Sequence, residues 1–248
     1  PFLMLDAFDS RDPADYIRGF PWHPHRGIET VTYLVNGEID HSDSLGNSGT
    51  IRDGGCQWMT AGSGIIHQEM PQASPRMLGL QLWLNLPRKD KFTAPQYRDL
   101  SGDKIPRVQE DGVRVGVICG HYGATAGPTQ GDYVRATMLD VEMAAGSVFR
   151  LPTDPAKTVF IYILAGSGVV GEGDENLASH RAVLLGSGDV FQARAGQDGM
   201  RLVLFAGRPL REPVAWGGPI VMNTPEELQQ AFAEIENGTF IRTSANPA

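Results

Sequence analysis

The chain has 248 residues, 41% of them hydrophobic, with 21 Lys and Arg against 29 Asp and Glu for a formal charge of −8. At roughly 150 residues per domain this is one or two domains with apolar material enough for their cores, which excludes a disordered chain. An acidic balance without a Lys/Arg cluster excludes counterion-driven binding to nucleic acid, and no apolar run nears the roughly 18 residues of a membrane helix.

The chain opens Pro1-Phe2-Leu3-Met4-Leu5-Asp6, without an initiator Met or a basic leader, and is expected to be a trimmed fragment whose first segment is missing. Short β-favouring runs then alternate with glycine breaks: Ile28 to Val35 before Asn36-Gly37, Thr50-Ile51 before Gly54-Gly55, Gln57 to Thr60 before Gly62-Ser63-Gly64, and Met77 to Leu86 before Pro87. Runs of that length with such punctuation predict strands and turns, an all-β chain. Cys56 lies in one of these runs and is expected to be a buried structural thiol; with Cys119 it makes two cysteines, too few for a disulfide framework and consistent with a reducing cytoplasm.

Residues 88–112 are polar and punctuated by Pro, and 120–131 are rich in Gly, Ala and Thr, so that stretch is the predicted linker between domains 1–119 and 132–248. The second half repeats the rhythm of the first. Tyr33-Leu34-Val35-Asn36-Gly37 aligns with Tyr162-Ile163-Leu164-Ala165-Gly166, and the stretch from Gly55 to Gly62 with that from Gly188 to Gly196, as two diverged copies of one β module. Thr224-Pro225-Glu226-Glu227 carries an N-cap, a Pro at the first helical position and a Glu three residues after the cap, which predicts a helix through about Glu236.

Three of the six His lie in His23-Pro24-His25 and His67-Gln68-Glu69. Residues i and i+2 of a strand share a face, so two neighbouring strands would aim these four side chains at one interior point. Imidazoles with one carboxylate bind divalent transition metals and leave positions open, a catalytic type of donor set. Glu29, four residues beyond His25, would share the inward face in a continuous strand and competes with Glu69 for the carboxylate role. His41, His121 and His180 read as turn or surface residues, and Trp58, Met59, Ile65 and Ile66 as core or pocket wall whose facing depends on strand register.

His25-Arg26-Gly27-Ile28-Glu29 with Gly37, and Gly62-Ser63-Gly64-Ile65-Ile66-His67, resemble the two cupin motifs, the second with Gly in place of Pro. The longer stretches Phe20 to Tyr33, Asp43 to Asn47, Gln57 to Pro71 and Gly218 to Thr224 resemble the pirin family over essentially the whole chain. That resemblance implies two tandem jelly-roll-like cupin barrels with a short C-terminal helix. It implies that His23, His25, His67 and Glu69 bind one metal, Fe(II) first, with Mn, Ni, Cu, Co or Zn also fitting. Glu29 then becomes an inner-wall residue, orienting a ligand or serving as a second base after Glu69. The positions matching the ligands in the second module are Pro152, Asp154, Arg201 and Val203, so the C-terminal barrel is expected to lack a metal.

The activity implied is that of a quercetin 2,3-dioxygenase, with O₂ opening the central ring of a flavonol and releasing CO. The alternative implied is an iron-responsive regulator that binds transcription factors or metabolic enzymes. With neither a DNA-binding motif nor a membrane segment in the sequence, such a regulator works through protein contacts.

Overall fold

Strands rich in β-branched and aromatic residues, many of them ended by a glycine turn, build the computed structural model, which describes residues 1–242. Two compact units are present: Pro1–Lys104 together with the chain from Leu210 onward, and Ile105–Pro209.

The first unit contains β1 (Phe2–Ser10), β2 (Phe20–His25), β3 (Ile28–Asn36), β4 (Glu38–Asp43), β5 (Ser48–Ile51), β6 (Cys56–Thr60), β7 (Ile65–Gln72), β8 (Met77–Asn85) and β9 (Gln96–Leu100). They form a five-stranded sheet in the order β1-β8-β3-β6-β9 and a four-stranded sheet in the order β2-β7-β4-β5. The sheets face one another as in a jelly roll, since Thr32 and Gln81 of the larger sheet hydrogen-bond Glu69 of the smaller. Side chains alternate across a strand, so Thr32, Gln57 and Gln81 look into the barrel while Glu29, Val31, Tyr33 and Trp58 look out of its other face.

The second unit holds β10 (Arg107–Glu110), β11 (Val113–Cys119), the hairpin β12 (His121–Tyr122) and β13 (Thr125–Ala126), β14 (Ala136–Met143), β15 (Val148–Pro152), β16 (Thr158–Val170), β17 (Asn176–Ala178), β18 (Arg181–Leu184) and β19 (Val190–Gly207). Their sheet runs β10-β11-β14-β19-β16-β17, with β15 on β19 and β18 on β16. Val115, Leu139, Phe149, Ile161, Phe191 and Leu202 share an apolar core here. At the positions matched to ligands, Val203 is buried, Arg201 is ion-paired to Asp140 at 2.7 Å and Asp154 to Arg208 at 2.6 Å.

The unit boundaries differ from those read in the sequence. Residues 105–119 pair with the second sheet, and the stretch expected to be a linker is the β12–β13 hairpin and its flanks, bonded back to Gly120 and Cys119. The helix does not close the second barrel. After Pro209 the chain returns to the first unit as β20 (Ala215–Gly217), β21 (Ile220–Met222) and α1 (Pro225–Glu236). The expected capping box is formed: Thr224 accepts from the Glu227 amide and Glu227 from the Thr224 amide.

The return segment is fastened by buried cations. Lys91, 1% exposed, donates to the carbonyls of Gly27 and Val221 and to Asn85 Oδ1. Arg26 donates to Ser63 O and Phe240 O, pairs with Glu234 at 2.7 Å, and lies over the Phe240 ring. Gly27 stands where these meet: its φ is +78°, and a Cβ would lie 1.9 Å from Val221 O. Among the described residues no helix is long and apolar enough to cross a membrane.

Candidate metal centre

β2 is the edge strand of the smaller sheet, which is why it tolerates Pro24 between its two His. It pairs antiparallel with β7, and His23 lies directly opposite His67. Along β7 burial alternates without a break, so Ile65, His67, Glu69 and Pro71 are buried and Ile66 points outward under Ile220 and Phe240. The sequence expectation that both motifs aim inward therefore agrees with the register.

The three imidazoles converge. Their centroids are 4.8 Å apart for His23 and His25, 4.3 Å for His23 and His67, and 5.1 Å for His25 and His67. One nitrogen from each lies within 4.8 Å of the others, and among the described residues this is the cluster with metal-binding spacing. His23 Nδ1 is 2.8 Å from Pro21 O and His25 Nδ1 is 3.0 Å from Pro219 O. A carbonyl can only accept, so both Nδ1 atoms carry a proton, and the two Nε2 atoms face each other at 3.0 Å. His67 has both ring nitrogens buried and without any hydrogen-bond partner. Burial holds His25 down at about 4 and pushes His67 lower still, helped by the neighbouring imidazoles, so both of these rings are neutral near pH 7. The donor set fits a divalent transition metal.

Glu69 is buried beside this cluster but is not one of the three mutually close donors. Its Oε1 accepts from Thr32 Oγ1 at 3.2 Å and Gln57 Nε2 at 3.4 Å, and its Oε2 from Gln81 Nε2 at 2.7 Å. Trp83 stands edge-on to His25 at 4.9 Å and lies 6.0 Å from Trp216 of the return segment. Phe20 and Trp22, on the ligand-bearing strand, are more than half exposed.

Two expectations fail. Glu29 is not on the inner wall: it accepts from Trp58 Nε1 at 3.1 Å and Thr60 Oγ1 at 2.8 Å on the opposite face of the sheet, and burial there raises its pKa. The even spacing from His25 carries no meaning because the chain turns at Gly27 and passes from one sheet to the other. His41 is not a turn or surface residue: it is 1% exposed on β4, opposite Glu69, with its ring 5.4 Å from that of His67. Ile39, His41 and Asp43 alternate in burial along β4, but with Ile39 its one apolar residue the strand gives little signal in the sequence. Thr32, Gln57, Gln81 and the Pro219 carbonyl carry no signal in the sequence, since pairings between strands bring them to the site. His121 is exposed, as expected, and Cys56 is a buried free thiol.

A jelly-roll barrel with a His cluster between its sheets, followed by a second β barrel, defines a bicupin with a candidate metal site. The pirin family profile matches residues 1–84, and the profile of the pirin C-terminal cupin domain matches residues 138–241. A pirin-like protein of Caulobacter vibrioides is 46% identical over 97% of this chain and 87% of its own length. A Pseudomonas aeruginosa protein, provisionally named a quercetin 2,3-dioxygenase, is 41% identical over 96% of this chain and 86% of its own. The crystal structure of a quercetin 2,3-dioxygenase from Acinetobacter baumannii superposes with a TM-score of 0.87 at 33% identity, covering 97% of this chain and 86% of that one. The chain belongs to the pirin family.

Proposed function

We propose that this pirin is a metal-dependent dioxygenase that opens flavonols such as quercetin, with His23, His25, His67 and Glu69 holding one divalent ion, Fe(II) first, in the barrel of the first unit. The observation that carries the reading is the convergence of three imidazoles with nitrogens within 4.8 Å of one another, one of them buried with both nitrogens unpartnered, a set of donors that a cation satisfies. A bound ion supplies Lewis acidity toward a chelating hydroxyl–carbonyl pair and redox chemistry toward O₂. The chain's own residues do the rest. Pro21 and Pro219 fix the imidazole tautomers, Glu69, when detached from the ion, is the base that takes the flavonol 3-hydroxyl proton, and Trp83 and Trp216 present aromatic surface near His25.

The test is loss of quercetin absorbance with oxygen uptake and CO release, on protein of measured metal content, beside His23→Ala. Fully loaded wild type without turnover overturns the dioxygenase reading, and wild type that takes up no divalent ion overturns the metal centre. A second reading, a regulator whose grip on a protein partner follows the state of the metal, is favoured by exposed Phe20 and Trp22 on the strand that carries two ligands. Partner capture that is equal for ferrous and ferric protein rejects it.

A further inference from the structure

Behind Glu69 lies a chain of buried hydrogen bonds with a fixed direction. Asp43 Oδ1 accepts from the amides of Leu45 and Asn47, and its Oδ2 accepts from Asn47 Nδ2 at 2.9 Å, so this carboxylate acts throughout as an acceptor. Those donors, with His41, hold its pKa below the usual carboxylate value despite burial. Facing Oδ2 at 3.3 Å is His41 Nε2, which must then be the donor and carry the ring proton. Its Nδ1 lies 3.1 Å from Gln57 Nε2, and since an amide nitrogen only donates, Nδ1 is the acceptor there. The same amide nitrogen is 3.4 Å from Glu69 Oε1.

Gln57 could be turned either way by rotation about its last torsion, and only one way works. With the carbonyl inward, its oxygen would oppose both the His41 lone pair and the Glu69 carboxylate. With the NH₂ inward, one N–H serves His41 and the other serves Glu69, while Gln57 Oε1 is left buried without a partner. The orientation present is thus the one that leaves a carbonyl unsatisfied, which shows how firmly the two acceptors select it. Tyr97 stacks on His41 at 4.2 Å and holds the ring in the plane this requires. Gln81 is set in the same manner from the other side, its Oε1 facing Trp83 Nε1 at 3.5 Å and its Nε2 facing Glu69 Oε2.

We propose that His41 and Asp43 are positioning residues of the metal centre, which act through Gln57 by fixing the polarity of its amide so that Glu69 meets only donors. This rests on the reading of His23, His25, His67 and Glu69 as the metal site. In Asp43→Asn the two backbone donors retain the side-chain oxygen, the new amide donates to His41 Nε2, and the ring proton moves to Nδ1. Gln57 must then turn its oxygen toward Glu69 or give up His41.

The experiment measures Co(II) affinity by chelator competition and the visible ligand-field bands of the Co(II) protein, for wild type, Asp43→Asn, Gln57→Met and the double variant. Expected is a loss of about tenfold or more in affinity for each single variant, on the scale of losses at outer partners of metal ligands, with shifted bands. The double variant is expected to be no worse than Gln57→Met alone, because Asp43 acts through Gln57. His41→Phe keeps the stack on Tyr97 and the Asp43 turn, and takes the place of Asp43→Asn should that variant misfold. Folded Asp43→Asn or His41→Phe with wild-type affinity and bands overturns the proposal, as does a double variant whose loss is the product of the single losses. If wild type binds no Co(II), or His23→Ala binds as well as wild type, the metal reading fails and this one falls with it. A failure confined to Asp43, His41 and Gln57 leaves the metal reading standing.

Discussion

His25 is neutral in the folded protein because burial sets its pKa at about 4 against an ordinary 6.5. The unfolded chain takes up that proton first as pH falls, so the metal-free protein is unaffected above 6.5 and loses stability down to about 4. The loss is about 3 kcal/mol from this group, at 1.36 kcal/mol per pKa unit, and His67 adds to it in the same direction. Urea midpoints across this window are expected to fall with pH, and less so in His25→Gln. A flat profile would count against a neutral buried imidazole. On the dioxygenase reading, Glu69→Gln keeps the shape of the side chain but removes the carboxylate that serves as ligand and base, and quercetin turnover is expected to drop by about 100-fold or more in a protein that still folds. Turnover within a few fold of wild type would assign the proton to another group.

Elements decide which residues can meet, and here the sequence is legible in one place and opaque in another. Within β2 and within β7 the two-residue period holds, so the sequence alone places His23 with His25, and His67 with Glu69, on common faces. Between β2 and β3 the positive φ of Gly27 resets the period, and for that reason Glu29 lies on the side opposite to the one its spacing predicts. β4 carries too few apolar residues to announce itself as a strand, which hides His41. Helix α1 is readable because its cap is local. Thr224→Ala is expected to cost about 1 kcal/mol, read as a shift in the denaturant midpoint. Lys91→Met strands three buried acceptors in three segments and is expected to cost about 3 kcal/mol, with faster amide exchange at Ile220–Met222. Exchange unchanged there would show that Lys91 does not hold the return segment.

At the scale of the whole chain, composition points to the all-β class and the repeat to two barrels, but the return from Leu210 onward is invisible because its partners in the first barrel lie far off in sequence, 130 residues for Lys91 and Val221 and 214 for Arg26 and Phe240. No local pattern reports a pairing of that separation. Ending the chain at Pro209 is expected to leave the second unit's core residues in place while depriving His25 of the Pro219 carbonyl and Lys91 of Val221. The truncated protein should therefore retain substoichiometric metal, measured by elemental analysis; full occupancy would show the return segment to be dispensable for the site.

The same connectivity sets a schedule during synthesis. The last strand of the first barrel ends at Leu100, and the carbonyl that fixes the His25 tautomer belongs to Pro219. At about 5–20 residues per second, the ribosome finishes the barrel wall on the order of ten seconds before it delivers that carbonyl. In the interval three imidazoles stand ready while one of them lacks the carbonyl that fixes its tautomer, so the cluster on the nascent chain is looser than the finished one. The cluster thus reaches its final geometry only once the return segment has been made and has docked.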